Sequence, residues 1–176
     1  MGEVLLDTPR VLVSRFAGDD PADDAFVLAL LNDADFLRHI GDRGVHTLED
    51  ARAYLLHGPV ASYAAHGHGL FQVRLRETGE RAGMCGLVRR DALPGPDLGY
   101  AFLPGFRGRG LAAEAAAAVM RHAHRALGIA HVLAITDHAN AASIRLLLNL
   151  HFRHDGEVRL GEDQEPLRLY AWTAAR

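Results

Sequence analysis

The hydrophobic pattern changes period several times along this chain, and each change marks an element. Residues 11–16 alternate apolar and polar side chains well enough for a strand. Gly18-Asp19-Asp20-Pro21 breaks that strand and opens a helix with Pro21 near its first position. The helix is expected to bury Phe26, Val27 and Leu30 and to end before Asp33. A second helix begins near Thr47, whose hydroxyl can cap it while Asp50 answers from the third position. Between them, residues 36–46 are expected as a loop, too rich in specific side chains to be a mere connector. Residues 70–75 and 83–88 form a predicted hairpin with Gly79 in its turn. Residues 91–96 make the next turn, and a strand starts at Asp97.

Further on, the period lengthens to that of a helix. Leu111, Ala115, Val119, Ala123 and Leu127 fall on one stripe, with Ala112, Ala116 and Met120 beside it. Glu114, Arg121 and Arg125 fall opposite, and Gly128 is a natural residue just past the end. Residues 131–136 read as a core strand. Asn140 caps a helix carrying Ile144, Leu147 and Leu150 inward, and residues 152–158 and 167–173 read as a closing hairpin. The order is strand, two helices, three strands, helix, strand, helix, two strands. It implies a mixed α/β (α+β) fold with a mostly antiparallel sheet of about seven strands, in one domain spanning residues 1–176.

Composition narrows the function classes. At 176 residues, 49% apolar and 23% charged, the chain is an ordinary globular protein with room for a core. A formal charge of −3, with no basic stripe, argues against nucleic acid as a partner. It is compatible with a cationic acceptor. The lone Cys85 sits in an apolar run and reads as a buried small residue rather than a nucleophile. No apolar run approaches the ~18 residues that span a membrane, and no secretory pattern opens the chain, so a cytoplasmic protein is expected. The pairs His66-x-His68 and His122-x-His124 suggest metal only superficially. On a helix His122 and His124 point to different sides, and the other pair lacks cysteine or carboxylate company, so no metal is assigned.

The chemistry concentrates in residues 97–112, a strand, a glycine- and arginine-rich loop and the mouth of a helix. Backbone N–H groups converge at such a mouth, and the helix terminus adds positive charge, so the segment reads as an anion site. Gly108 and Gly110 permit close approach of a ligand to the backbone, and Arg107 and Arg109 supply forked donors for phosphate oxygens. A Walker-type loop needs Gly-Lys-Ser/Thr, and this chain has no lysine: all 19 Lys+Arg residues are arginine. A dinucleotide fingerprint fits Gly108-x-Gly110-x-x-Ala113, with Asp137 placed as a ribose-binding acid. However, the motif comes late and too little chain follows it for a doubly wound sheet.

Arg107-x-x-Gly110-x-Ala112 resembles the Gln/Arg-x-x-Gly-x-Gly/Ala signature of the GNAT acetyltransferases, which grips the pyrophosphate of acetyl-coenzyme A. Asn140-Ala141-Ala142-Ser143-Ile144-Arg145 is similar to the Asn-x-x-Ser-x-Arg stretch of the Rim-type, ribosomal-protein-acetylating branch, and residues 8–13 look like its opening strand. Tyr100 and Phe152 fit as well, so the resemblance runs from about Thr8 to Trp172. It implies a GNAT-like sheet with one splayed parallel pair and helices on both faces. It also implies acetyl-coenzyme A as cosubstrate and a small-molecule or peptide amine as acceptor, in a monomer or homodimer. The early helical region would line the acceptor pocket.

On the same resemblance, the cofactor would contact Phe102, Leu103, Arg107, Gly108, Arg109, Gly110, Leu111, Ala112, Asn140 and Ser143. An N–H near Phe102 or Leu103 would receive the thioester oxygen. Asp97 is the candidate base, acting through a water or by positioning the cationic amine, and a merely solvated carboxylate at a strand start is the alternative. Ser143 is the candidate partner of the leaving sulfur, or simply a hydroxyl supporting the helix cap. Two positions depart from the family. His151 replaces a glycine where positive φ is needed, and Leu148-Asn149 replaces a Glu-Lys pair, exposing a leucine. A coenzyme-A-binding module without turnover and a dinucleotide-binding protein are the competing functions.

Overall fold

The computed structural model describes residues 2–175. Eight strands form one sheet in the order β1-β2-β3-β4-β5-β6-β8-β7. They are β1 (Val4–Asp7), β2 (Val11–Ser14), β3 (Leu70–Leu75), β4 (Arg81–Val88), β5 (Asp97–Phe102), β6 (His131–Thr136), β7 (Arg153–Val158) and β8 (Leu167–Thr173). Every pairing is antiparallel except β5 with β6. The expected mostly antiparallel sheet with one parallel pair is thus present, extended by an eighth strand. That strand, β1, is short and lies at the sheet edge, where Leu5 and Leu6 pack against the core. Four residues are too few for a period to register in the sequence.

Six helices flank the sheet: α1 (Pro21–Leu31), α2 (Ala34–His39), α3 (Leu48–Leu55), α4 (Ala61–His66), α5 (Leu111–Arg125) and α6 (Ala141–Asn149). Asp20 caps α1 by accepting from Ala22 N at 2.9 Å, and Pro21 takes the first turn, where its missing N–H costs nothing. Thr47 and Asp50 form the expected reciprocal cap of α3, each bond 3.0 Å. The expected loop at residues 36–46 is helical through His39, because Asp33 does not merely follow α1. Its carboxylate accepts from Asp35 N and Phe36 N, which starts α2. Between α3 and α4 the chain stays helical through Pro59 by widening into a π turn, Leu56–Val60. That widening accommodates a ring that has no N–H to give and would crowd the preceding turn.

Two apolar clusters hold these layers on opposite faces. Phe26, Val27, Leu30 and Leu55 pack with Met84 on one face. On the other, the predicted stripe Leu111, Ala115, Val119 and Ala123 packs with Val73, Leu87 and Leu98. The alanines put no bulk between α5 and the sheet, so helix and strands approach closely. Cys85 is fully buried in this second cluster, and burial pushes its thiol pKa up. At the end of α6, His151 takes φ 66°, the left-handed value the sequence demanded there, and Leu148 is half exposed.

The decisive feature for the site is where the sheet opens. β5 and β6 share the register pair Asp97 with Leu133, and Leu133 N donates to Pro96 O at 2.9 Å. No further register pair joins the two strands among the described residues. A wedge therefore opens from Asp97 toward the C-terminal ends of both strands.

Candidate active site

Strand geometry decides which main-chain groups face the wedge. On β5, Leu103 N donates to Ala82 O of β4 at 2.9 Å. Ladder groups alternate between sides of a strand, so the N–H groups of Tyr100 and Phe102 point the other way, into the wedge. Of the two amides expected near the thioester, Leu103's is therefore committed to the sheet and Phe102's is directed at the gap.

The wedge leads to the mouth of α5. Gly108 and Gly110 adopt φ 70° and 74°, and Gly110 stands at the N-cap without a side-chain cap. The first amide of α5 to close a turn is Glu114 N, onto Gly110 O at 3.1 Å. The amides of Leu111, Ala112 and Ala113 thus precede any intrahelical partner and open onto a cavity of about 560 Å³. Gly108, Gly110, Asn140 and Ser143 line the same cavity. Arg107 N, by contrast, donates to Pro104 O at 3.3 Å.

The arginines of this loop differ in their engagement. The Arg107 guanidinium donates to Phe102 O (2.9 Å), to Asp35 (2.9 Å) and to Asp33, tying the loop to α2. Burial raises the Asp33 pKa, but the Arg107 bond and charge and the amides of Phe36 and Asp35 outweigh it, and the net shift is downward. Arg109 lies over the Phe106 ring at 5.9 Å. A third arginine holds the loop from behind. Arg10 donates to Arg109 O (2.7 Å) and to Gly110 O (3.3 Å), while Glu114 accepts from Arg10 Nε (2.6 Å), Arg10 N (2.8 Å) and the Thr8 hydroxyl (2.7 Å). Glu114 falls on the helix face away from the apolar stripe, yet it anchors the loop instead of facing only solvent.

Hydroxyls meet at the wedge. Tyr100 Oη lies 2.6 Å from Ser143 Oγ, and Asn140 Oδ1 caps α6 by accepting from Ser143 N at 3.1 Å, which leaves its NH2 for a ligand. Burial raises the Tyr100 pKa, against the bond to Ser143, so the phenol stays protonated. Tyr100 also borders a second cavity of about 470 Å³, which shares Phe36, Ile40 and Ala101 with the first. The two cavities therefore join at Tyr100. Tyr100 reaches Ser143 from β5, across the wedge, a pairing that no sequence spacing could reveal.

Asp97 lies at the closed root of the wedge, buried, and is not among the lining residues of either cavity. Both its oxygens accept from Arg90 Nε, at 3.1 and 3.2 Å, and Arg90 lines the second cavity. Burial raises the Asp97 pKa, while Arg90 and Arg43 pull against that rise. Asp137, considered above as a ribose ligand, accepts from His39 Nδ1 (2.7 Å) and Ala139 N (3.1 Å), and this sheet has no doubly wound parallel half.

One parting parallel pair, a helix mouth of unpaired amides and a hydroxyl pair between them thus form a single open cleft. Residues 10–153 match the acetyltransferase (GNAT) domain, and the chain belongs to that family. An acetyltransferase from Agrobacterium tumefaciens is similar in structure, with 27% identity over 96% of this chain and 94% of that one and a TM-score of 0.76. A Bordetella pertussis protein assigned to the same family has 26% identity, coverage of 97% and 99%, and a TM-score of 0.79. The ribosomal L7/L12 N-acetyltransferase RimL, solved with coenzyme A, shares the fold at 19% identity, coverage of 97% and 98%, and a TM-score of 0.80. No curated protein matches the chain. Among the described residues no helix is long and apolar enough to cross a membrane.

Proposed function

We propose that this protein transfers an acetyl group from acetyl-coenzyme A directly to a primary amine, of a small molecule or of a protein N-terminus. The observation that carries the reading is the wedge between β5 and β6, which runs from the Asp97–Leu133 pair toward the unpaired amides of α5. Its fold relative RimL holds coenzyme A. In this reading the diphosphate rests on the amides of the segment from Gly108 to Ala112, with Arg109 supplying side-chain charge. Arg107 contributes by tying the loop to α2. The pantetheine arm bonds to the main chain of Tyr100 and to the Asn140 amide, which leaves Phe102 N–H for the thioester.

Direct transfer needs three things: a neutral amine, a site for the charge developing on the carbonyl oxygen, and a partner for the departing sulfur. Phe102 N–H serves the oxygen. The Tyr100–Ser143 pair faces the sulfur. A buried phenol above its usual pKa of ~10 is a weaker acid than a thiol near ~8.5. It therefore stabilises the thiolate by hydrogen bonding, and the proton that completes the free thiol comes from the attacking nitrogen. Asp97, capped by Arg90, acts on the amine through water and through the orientation of Arg90 rather than by contact.

The test is release of free thiol from acetyl-coenzyme A with a panel of amines, alongside calorimetric binding of coenzyme A. Turnover is expected, and Arg109→Ala should weaken coenzyme A about five- to thirtyfold, the scale of one or two kcal/mol for a charged hydrogen bond. Binding with no thiol across the panel would leave a coenzyme-A-binding module instead. Stabilisation by nicotinamide cofactors but not by coenzyme A would sink the reading altogether.

A further inference from the structure

The cavity beside α3 and α4 has apolar walls, among them Phe36, Leu70 and Met84. The charged side chains on its lining are all basic: Arg43, Arg89 and Arg90, with His57 and His66. No aspartate or glutamate lines it among the described residues. Asp97 lies behind Arg90 and neutralises that one guanidinium. Arg43 and Arg89 form no ion pair among the described residues. The chain as a whole carries −3, so this positive surface is local rather than a property of the protein at large.

Arg43 is presented by a tight turn. Gly41 and Gly44 take φ 104° and 70° on either side of it, and Asp42 turns the chain by accepting from Gly44 N at 2.7 Å. Arg43 is close enough to Asp97 and to the Tyr54 hydroxyl to act on the charge of both, so its guanidinium belongs to the same wall as Arg90.

Unpaired guanidiniums on an apolar cavity attract an anion and repel a polycation. A fork of N–H donors matches a carboxylate, and the walls match a hydrocarbon body. Resting on the acetyl-transfer reading, we infer that the acceptor is a primary amine that carries its own carboxylate on an apolar frame, in the manner of an aliphatic or aromatic amino acid, with Arg43 receiving the carboxylate. The chain's net negative charge is thus not repeated at this cavity, whose charged lining is basic. The same cations disfavour an ammonium ion beside them, so the acceptor nitrogen sheds its proton more readily there than in water. That supplies part of what a base would otherwise have to do.

The test compares matched acceptors in the thiol-release assay. L-leucine should exceed 3-methylbutylamine, the same amine without its carboxylate, by about tenfold or more in kcat/KM, with spermidine below both. Arg43→Gln should bring leucine down to the level of 3-methylbutylamine, mainly through KM, with coenzyme A affinity unchanged. Equal or better use of 3-methylbutylamine or spermidine, or a leucine preference that survives Arg43→Gln, overturns the inference. If no amine is acetylated, the transfer reading fails separately. The anion site is then decided by calorimetry with 4-methylpentanoate, which has no amine to acetylate. Binding to the coenzyme A complex that is lost in Arg43→Gln supports the site, and no binding to the wild type overturns it.

Discussion

The two cavities that join at Tyr100 are built from different materials. The one at the mouth of α5 is made largely of main chain: unpaired amides, glycines at positive φ, and carbonyls held from behind by Arg10. The one beside α3 and α4 is made of side chains borne by two short helices and a turned loop. Main-chain groups are the same in every sequence, so a main-chain site recognises what is constant, a diphosphate and an amide-bearing arm. Side chains vary freely, so a side-chain site can be fitted to one acceptor while the scaffold stays as it is. In the acetyl-transfer reading proposed above, the first cavity speaks to the class of reaction and the second to its particular substrate.

The largest expected effect falls where the cavities meet. Tyr100→Phe removes the hydroxyl facing Ser143, and kcat should drop about 100-fold, with coenzyme A affinity within about twofold of wild type. An unchanged kcat would detach the Tyr100–Ser143 pair from the chemistry. Next comes the main-chain cavity. Arg10→Ala frees the carbonyls of Arg109 and Gly110, and the coenzyme A dissociation constant should rise about three- to tenfold while the acceptor KM stays put. A change confined to the acceptor KM would show that the two sites are not separately built.

The smallest effect tests the strap between them. Arg107→Ala should cost about 1 kcal/mol, or roughly 2–4 °C in Tm, because its guanidinium is about one-third exposed and solvent screens the pairs with Asp33 and Asp35. The folded Asp33 pKa is depressed, so the contribution of this pair is fully present above the unfolded value of ~3.9 and fades as the pH falls through the lower folded one. The Tm gap between wild type and variant should be full at pH 7 and close below about pH 4. A gap that stays constant through acid would mean that Arg107 acts by packing, not by charge.

Much of this was legible in the sequence, for identifiable reasons. The α5 stripe, the Thr47–Asp50 cap and the hairpin at Gly79 follow from local periodicity and capping, and the left-handed His151 from the family resemblance, which has glycine there. The start of α2 was missed because Asp33 both trails one helix and caps the next, and the sequence alone does not separate those parts. The loop anchor was missed because Arg10 and Glu114 are 104 residues apart, and Glu114 looked like any polar residue on an outer helix face. Asp97 was placed at the right strand start, but its pairing with Arg90 depended on a turn whose path the sequence left open.

What the sequence settled by itself was most of the elements and the glycine-flanked mouth of α5, because periodicity, caps and glycine positions act over a few residues. The tertiary structure alone decided that β5 and β6 part after one register pair, that Tyr100 reaches Ser143, and that Arg43 and Arg90 share a wall. Those facts join residues dozens of positions apart, and only the packing of the two apolar clusters on opposite faces of the sheet fixes such distances.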